Sequence, residues 1–485
     1  MKKLLTTACL FVATGFAIVS CIAPPVCGQE KKTLVLTHVT VIDVTARNSA
    51  RALKANQTVI ITGESITAVG ETGKLRIPEG AQVIDTTGKF LIPGLWDMHV
   101  HNFLGGRRAV SSLKLFLANG VTGVRDMGGD LERLLARRQQ VTSGALPGPR
   151  MVISGPNIIG ATLDRPVVSN AEEARAAVRR LKQGGADFVK LYSFLQPNAF
   201  FAAVDEAKKL GMAAVGHVPF AVKASDAAKV GMKSMEHLTG VVIEAADQED
   251  TLREEISVGI RDGKMPIDNA RIEVGHAIRY KDSFNPKKLQ RLNALFVKYN
   301  TWHCPTLYPL NLGSNFGGEG EKLFGRYGYP YVRYVPQATL DEWKRPSTRW
   351  TPDLVPSLNA HFVHKRAVTG AMHRAGVQFL AGTDSGLAFG FSLHDQLGLF
   401  VQAGFSPMEA LQTATINPAR YFGREKELGT IERGKLADLV LLDANPLVDI
   451  GNTRRINAVI ANGTYLRKEV LQEMLAEVEA AARKN

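Results

Sequence analysis

His99 and His101 stand two apart at the end of an apolar run, in the stretch FLIPGLWDMHVH from Phe90 to His101. Side chains alternate between the two faces of a strand, so both imidazoles point the same way. Two neutral imidazoles aimed at one point form half of a divalent metal site. A His-x-His pair by itself is as often two ordinary, partly buried histidines. Asp97 and the Pro93-Gly94 turn ahead of the pair weigh toward metal, as do further polar residues at the ends of later apolar runs.

Those residues are Lys190 in FVKLY, His217 in VGHVP, His237 in MEHLTG and Asp384 in LAGTDSG. Singly, each has a plain reading, such as a solvated lysine or a satisfied turn histidine. The elements that carry them change the weighing. Apolar runs at Gly120 to Asp126, Met151 to Ser154, Asp187 to Leu191, Ala213 to His217, Ser234 to His237, Thr301 to Pro305 and Gln378 to Gly382 follow the one that ends in His99 and His101. Helical patterns such as Ala171 to Gln183, Asn198 to Leu210 and Asn359 to Ala375 separate them. Repeated strand-helix alternation predicts an α/β chain folded as a (β/α)8 TIM-type barrel, in which residues at strand C-termini share one mouth. No strand leads into a GxGxxG turn, which counts against a doubly wound dinucleotide fold.

Both ends of the chain read differently. Thr33 to Thr45, Gln57 to Val69 and Ala81 to Asp85 are β-branched and alternating, as are Leu428 to Lys435, Ala437 to Asp443 and Ile456 to Ala461, with a hairpin turn at Asn462-Gly463. The expected organisation is a small β-sandwich from residues 31–90 and 425–468, a barrel from 91–424, and a C-terminal helix from 469–485. Lys2 and Lys3 ahead of an apolar stretch from Leu4 to Ser20 predict an export signal over residues 1–28. Ile18-Val19-Ser20-Cys21 resembles a lipoprotein cleavage site, which would make Cys21 a lipid anchor; ordinary cleavage near residues 23–29 would give a periplasmic protein.

With 485 residues and 45% hydrophobic content, the chain can bury a large core. Of its 4 cysteines only Cys304 lies in the body, so it is not a disulfide scaffold. The net charge of +13 comes from scattered Lys and Arg without a basic run or basic-aromatic module, which argues against nucleic acid as a partner.

His99-x-His101, the strand-four Lys190, His217, His237 and Asp384, with the segments PGLWDMHVH, GTDSG, NPAR and GTIERGKLADLVLLD, resemble the amidohydrolase superfamily in its two-metal, carboxylated-lysine form. Within it the chain looks most similar to the imidazolonepropionase-like and prolidase-like dipeptidase branch. The resemblance implies that His99, His101 and Asp384 hold one divalent ion and His217 and His237 the other, with N6-carboxylysine at Lys190 bridging. Zn is the first choice by ligand type, with Mn, Co or Fe as alternatives. It further implies a metal-activated hydroxide, with Asp384 passing its proton to the leaving nitrogen.

Substrate choice falls to the loops. The connections Leu238 to Asn300 and Leu307 to Ser357 are long, and the second holds Phe316, Phe324, Tyr327, Tyr329, Tyr331, Tyr334, Trp343 and Trp350, suited to a pocket wall, a packed lid or a homo-oligomer contact. Tyr192, two residues beyond Lys190, and His303 near the end of the seventh strand are the candidate substrate-binding residues. His361, His364 and His373 lie on a helical pattern and read as surface or packing positions, and Gln396 stands where relatives often carry an acid. The expected activity is hydrolysis of an amide bond in a dipeptide, Xaa-Pro or similar, or an N-acyl amino acid. The alternatives are a cyclic amide or lactone hydrolase and a non-catalytic metal-binding protein.

Overall fold

The computed structural model describes residues 32–46, 49–101, 108–160, 168–265, 268–316, 331–343, 351–385 and 389–484. The expected signal segment and Cys21 lie outside them.

The alternating, β-branched segments at both chain ends become strands of one sheet. β1 (Thr33–Ile42), β2 (Leu53–Thr62), β3 (Ser65–Glu71), β4 (Gln82–Asp85) and β5 (Phe90–Pro93) come from the N-terminal part. Seven further strands of the central region are β6 (Leu95–Val100), β7 (Val121–Asp126), β8 (Arg150–Ile153), β9 (Phe188–Leu191), β10 (Ala213–Gly216), β11 (Ser234–Glu236) and β12 (Trp302–Cys304). The C-terminal part adds β13 (Leu439–Leu442), β14 (Ile456–Ala461) and β15 (Thr464–Arg467), then a helix Lys468–Lys484.

The end strands are ordered β15-β14-β13-β5-β1-β2-β3, with β4 also on β1. The antiparallel pairing of β5 with β13, from Leu439 opposite Pro93 to Leu442 opposite Phe90, joins the two chain ends. Alternation then gives the sheet two buried faces. Leu91, Leu439 and Leu441 pack with Leu36, Val39 and Ile61 on one face, while Ile92, Val440 and Leu442 join the large core that holds the central strands. As expected, both chain ends contribute to one unit, which among the described residues is one eight-stranded sheet; a sandwich is not shown. The segment expected as the strand Leu428–Lys435 forms turns instead, and its end lies along β3 through a bridge between Ser65 and Leu436 and hydrogen bonds from Ile66 N to Lys435 O and Gly434 N to Ile66 O, each 2.8 Å.

The central strands form two parallel ladders, β6-β7-β8 and β9-β10-β11-β12. Among the described residues, regular pairing stops short of a single closed eight-stranded ladder. A bridge between Ile158 and Leu191 links one side of the gap, and a bridge between His303 and Phe379 links the other. The expected eighth strand, Gln378 to Gly382, is held by single hydrogen bonds: Leu380 N to His303 O at 2.9 Å, Met98 N to Ala381 O at 2.8 Å and Asp384 N to His99 O at 2.7 Å. Gly382 explains the tight fit, since a Cβ there would lie 2.3 Å from Cys304 Sγ and 2.7 Å from His99 Cβ.

Candidate functional site

Each predicted ligand sits at or just past the C-terminal end of a parallel strand. His99 and Lys190 are inside β6 and β9, His217 and His237 follow β10 and β11 by one residue, and Asp384 follows the eighth segment. The chain turns sharply there: His237 and Leu238 have φ of 63° and 61°, and Asp384 has φ of 46°. Left-handed backbone at non-glycine residues is strained and collects at functional sites.

The rings converge. Centroids of His99 and His237 are 4.7 Å apart, those of His217 and His237 4.6 Å, and those of His99 and His101 5.3 Å. Asp384 Oδ1 lies 3.4 Å from His101 Nε2 and 3.7 Å from His99 Nε2, and its Oδ2 lies 3.9 Å from His237 Nδ1. His99, His101 and Asp384 each offer a ligand atom within 4.8 Å of the others.

The outer nitrogens are anchored. His99 Nδ1 lies 2.9 Å from Glu236 Oε2, His237 Nδ1 lies 2.7 Å from Thr306 Oγ1, and His217 Nδ1 meets Ser193 Oγ. A carboxylate on Nδ1 keeps the proton there and leaves the lone pair on Nε2. His99 Nε2, His101 Nδ1 and Lys190 Nζ are buried with no hydrogen-bond partner among the described residues. Such orphaned atoms are costly in a protein interior and suit a bound cation or a modified lysine.

Burial, then the Lys190 charge, holds His101 and His237 down to about 3 and keeps the imidazoles neutral, as metal ligands must be. Burial lowers Lys190 to about 8 against the pull of Glu236 and Asp384, bringing the neutral amine within reach near neutrality. Burial likewise raises Asp384 to about 7, with Lys190 opposing. The donor set therefore fits divalent cations.

A second possible grouping, His99 with Glu236 and Cys304, fits poorly. Glu236 is already engaged by Arg125 Nη2 at 2.9 Å, Ser234 Oγ at 2.7 Å and His99. Burial also pushes the Cys304 thiol well above its ordinary range, away from the thiolate a metal needs.

Two residues that the motif reading passes over, Arg125 and Glu236, complete the support together with Asp97. Arg125 is fully buried and also donates to Met98 O at 2.6 Å, Ser234 Oγ at 2.9 Å and Tyr421 Oη at 3.0 Å. Glu236 ties that guanidinium to His99. Asp97, singled out only as a neighbour, accepts from Thr383 N at 3.0 Å and Thr383 Oγ1 at 2.7 Å, fastening β6 to the turn that carries Asp384. The available signal was a charge inside an otherwise apolar strand.

The candidate substrate residues fare differently. The Tyr192 ring stacks on His217 with centroids 4.2 Å apart. His303 is not brought to the cluster: its ring lies against Phe296 at 4.5 Å and Phe379 at 6.2 Å. Its neighbour Cys304 takes the face toward His99, and alternation sends His303 the other way. His361, expected on the surface or in packing, is buried beside Glu273. Gln396 accepts from Tyr308 N at 3.1 Å, a tie between two helices. Tyr331 and Tyr334 stack on Phe391 at 4.3 and 5.3 Å, which makes them packing residues. The remaining aromatic side chains of that stretch lie outside the described residues.

Residues 347–466 match the amidohydrolase family model. The imidazolonepropionase of Fusobacterium nucleatum is 21% identical over 415 residues, covering 82% of this chain and 87% of that protein. Adenine deaminase 2 of Jannaschia sp. is 41% identical over 70 residues, but the chain spans only 11% of its length. Among solved structures, a Xaa-Pro dipeptidase with bound methionine in the active site is similar in fold, with a TM-score of 0.65 at 21% identity over 90% of this chain and 100% of that one. That likeness brings with it a TIM-type barrel fold. Residues 347–466 thus carry an amidohydrolase family domain, and the chain is a homologue of imidazolonepropionase.

Proposed function

We propose that this chain is a metal-dependent amidohydrolase that cleaves an amide bond of a small substrate, either a dipeptide of the Xaa-Pro kind or an N-acyl amino acid. The observation that carries the reading is that His99, His101 and Asp384 each offer a ligand atom within 4.8 Å of the others, while His99 Nε2 and Lys190 Nζ are buried with no hydrogen-bond partner among the described residues. In this reading His99, His101 and Asp384 would hold one divalent ion and His217 and His237 a second, and Lys190, as N6-carboxylysine, would supply an anionic ligand to the pair. When bound, the ions, Zn first by ligand type, supply Lewis acidity and an activated water.

The chain's own groups do the rest. Glu236 keeps the proton on His99 Nδ1, so that Nε2 faces the centre. Asp384 takes a proton from the attacking water on a carboxylate oxygen and returns it to the leaving nitrogen. Tyr192 hydrogen-bonds the substrate carbonyl or carboxylate.

Similarity in fold to a Xaa-Pro dipeptidase supports the dipeptide class. A second reading, a cyclic amide or lactone as substrate, is supported by the near full-length match to imidazolonepropionase. Metal-loaded protein assayed on Xaa-Pro dipeptides, basic dipeptides, N-acyl amino acids, cyclic amides and lactones separates the two. Turnover confined to cyclic substrates would replace the first reading with the second. A loaded protein inactive on every class would leave a metal-binding protein without turnover. Residues 1–28 are read as an export signal with Cys21 as the lipid site or cleavage just beyond it, and the mass of the mature amino terminus decides between these.

A further inference from the structure

Two residues beyond His237, Thr239 begins a short helix, Thr239–Glu244. Its hydroxyl donates to Glu273 Oε1, on the helix Asn269–Asp282. Glu273 is 3% exposed and saturated: Asn269 Nδ2 donates at 2.8 Å, Lys365 Nζ donates to Oε2, and His361 Nε2 lies 3.4 Å from Oε2. Lys365 and His361 come from a third helix, Val355–Arg374, which leads toward the segment that ends in Asp384. Thr239 and Lys365 are each 1% exposed.

The position of this cluster matters more than its energy, because a buried ion pair adds little net stability over apolar packing. His237 and Leu238 are both left-handed, with φ of 63° and 61°, a conformation that non-glycine residues hold only when their surroundings impose it. One restraint comes from before the turn, where His237 N donates to Cys304 O at 3.0 Å. The other comes from after it, where Thr239 is the first side chain that ties the chain to something rigid. A turn fixed at both ends sets where the His237 side chain leaves the backbone, and Thr306 Oγ1, 2.7 Å from Nδ1, then holds the rotation of the ring.

We propose that Thr239 is a positioning residue, its bond to the Lys365-held Glu273 carboxylate fixing the His237–Leu238 turn and with it the direction of the His237 ring toward the centre. This rests on reading His237 as a metal ligand. Supporting groups around metal-binding histidines typically contribute ten- to a hundredfold in affinity.

Apo protein, as wild type, Thr239→Val and Thr239→Ser, is titrated with Co(II) while visible absorption is recorded, and thermal unfolding of each apo form is measured in parallel. The expected result is about tenfold weaker binding of one of two ions in Thr239→Val, with an altered absorption band, and recovery of both in Thr239→Ser. A double variant, Glu273→Leu with Lys365→Met, removes the acceptor and its counter-charge together and is expected to weaken binding of the same ion about tenfold. It stands in if Thr239→Val does not fold, and wild-type affinity and spectrum in it would overturn the inference. Thr239→Val with wild-type affinity and spectrum, whatever its unfolding temperature, overturns the inference and leaves the metal reading intact. Wild type that takes up no Co(II) removes the metal reading and this inference together.

Discussion

Arg125 Nη2 and Glu236 Oε1 meet at 2.9 Å, fully buried, and the other oxygen of that carboxylate lies 2.9 Å from His99 Nδ1. A charge that would otherwise be stranded inside the strands is compensated, and the same carboxylate sets which nitrogen of His99 is free. Structure and chemistry share one residue.

Glu236→Gln separates the two roles. Leaving Arg125 buried without its counter-charge is expected to cost about 3–5 kcal/mol in apo stability. Loosening His99 is expected to weaken metal binding about tenfold or more. Denaturant unfolding reads the first and metal titration the second. Unchanged metal affinity in a destabilised protein would restrict Glu236 to the ion pair.

Asp384→Asn keeps the shape of the side chain and removes its basicity. Turnover is expected to fall by about a hundredfold or more, the usual range for a lost general base, with the fold retained by circular dichroism. Near-normal kcat would take Asp384 out of proton transfer.

The site's six polar residues were legible because each interrupts or ends an apolar run at a strand terminus. His303 meets the same description and faces the other way. Both faces of β12 are buried, so apolar pattern alone cannot tell inward from outward. Arg125 and Glu236 escaped notice for a related reason, since their partners are distant in sequence and only the fold joins them. The end sheet was legible as strands contributed by both chain ends, whereas the particular pairing that joins them, β5 on β13, is announced by no local pattern.

The buried histidine beside Glu273 gives a pH dependence with a definite sign. Burial and then Lys365 lower His361 to about 4, with Glu273 opposing. Between the unfolded value near 6.5 and 4, the unfolded chain carries a proton that the folded one lacks, so stability falls as pH drops through that window, by about 3 kcal/mol in all. Unfolding free energies of apo wild type and His361→Asn from pH 7.5 to 4.5 test this. The variant is expected to lose that part of the slope, and an unchanged slope would assign it to other groups.

Lys190→Ala removes the group proposed to join both metal positions. Metal content is expected to drop below that of wild type under identical purification, together with turnover. Full metal content in the variant would remove Lys190 from the ligand set.

The central claim, a two-metal centre built on His99, His101, Lys190, His217, His237 and Asp384, is tested most directly by elemental analysis of wild-type protein purified without chelator and then supplied with Zn(II). About two divalent ions per chain is the result this account predicts for such a paired site. A folded protein that holds no metal and takes none up would contradict it.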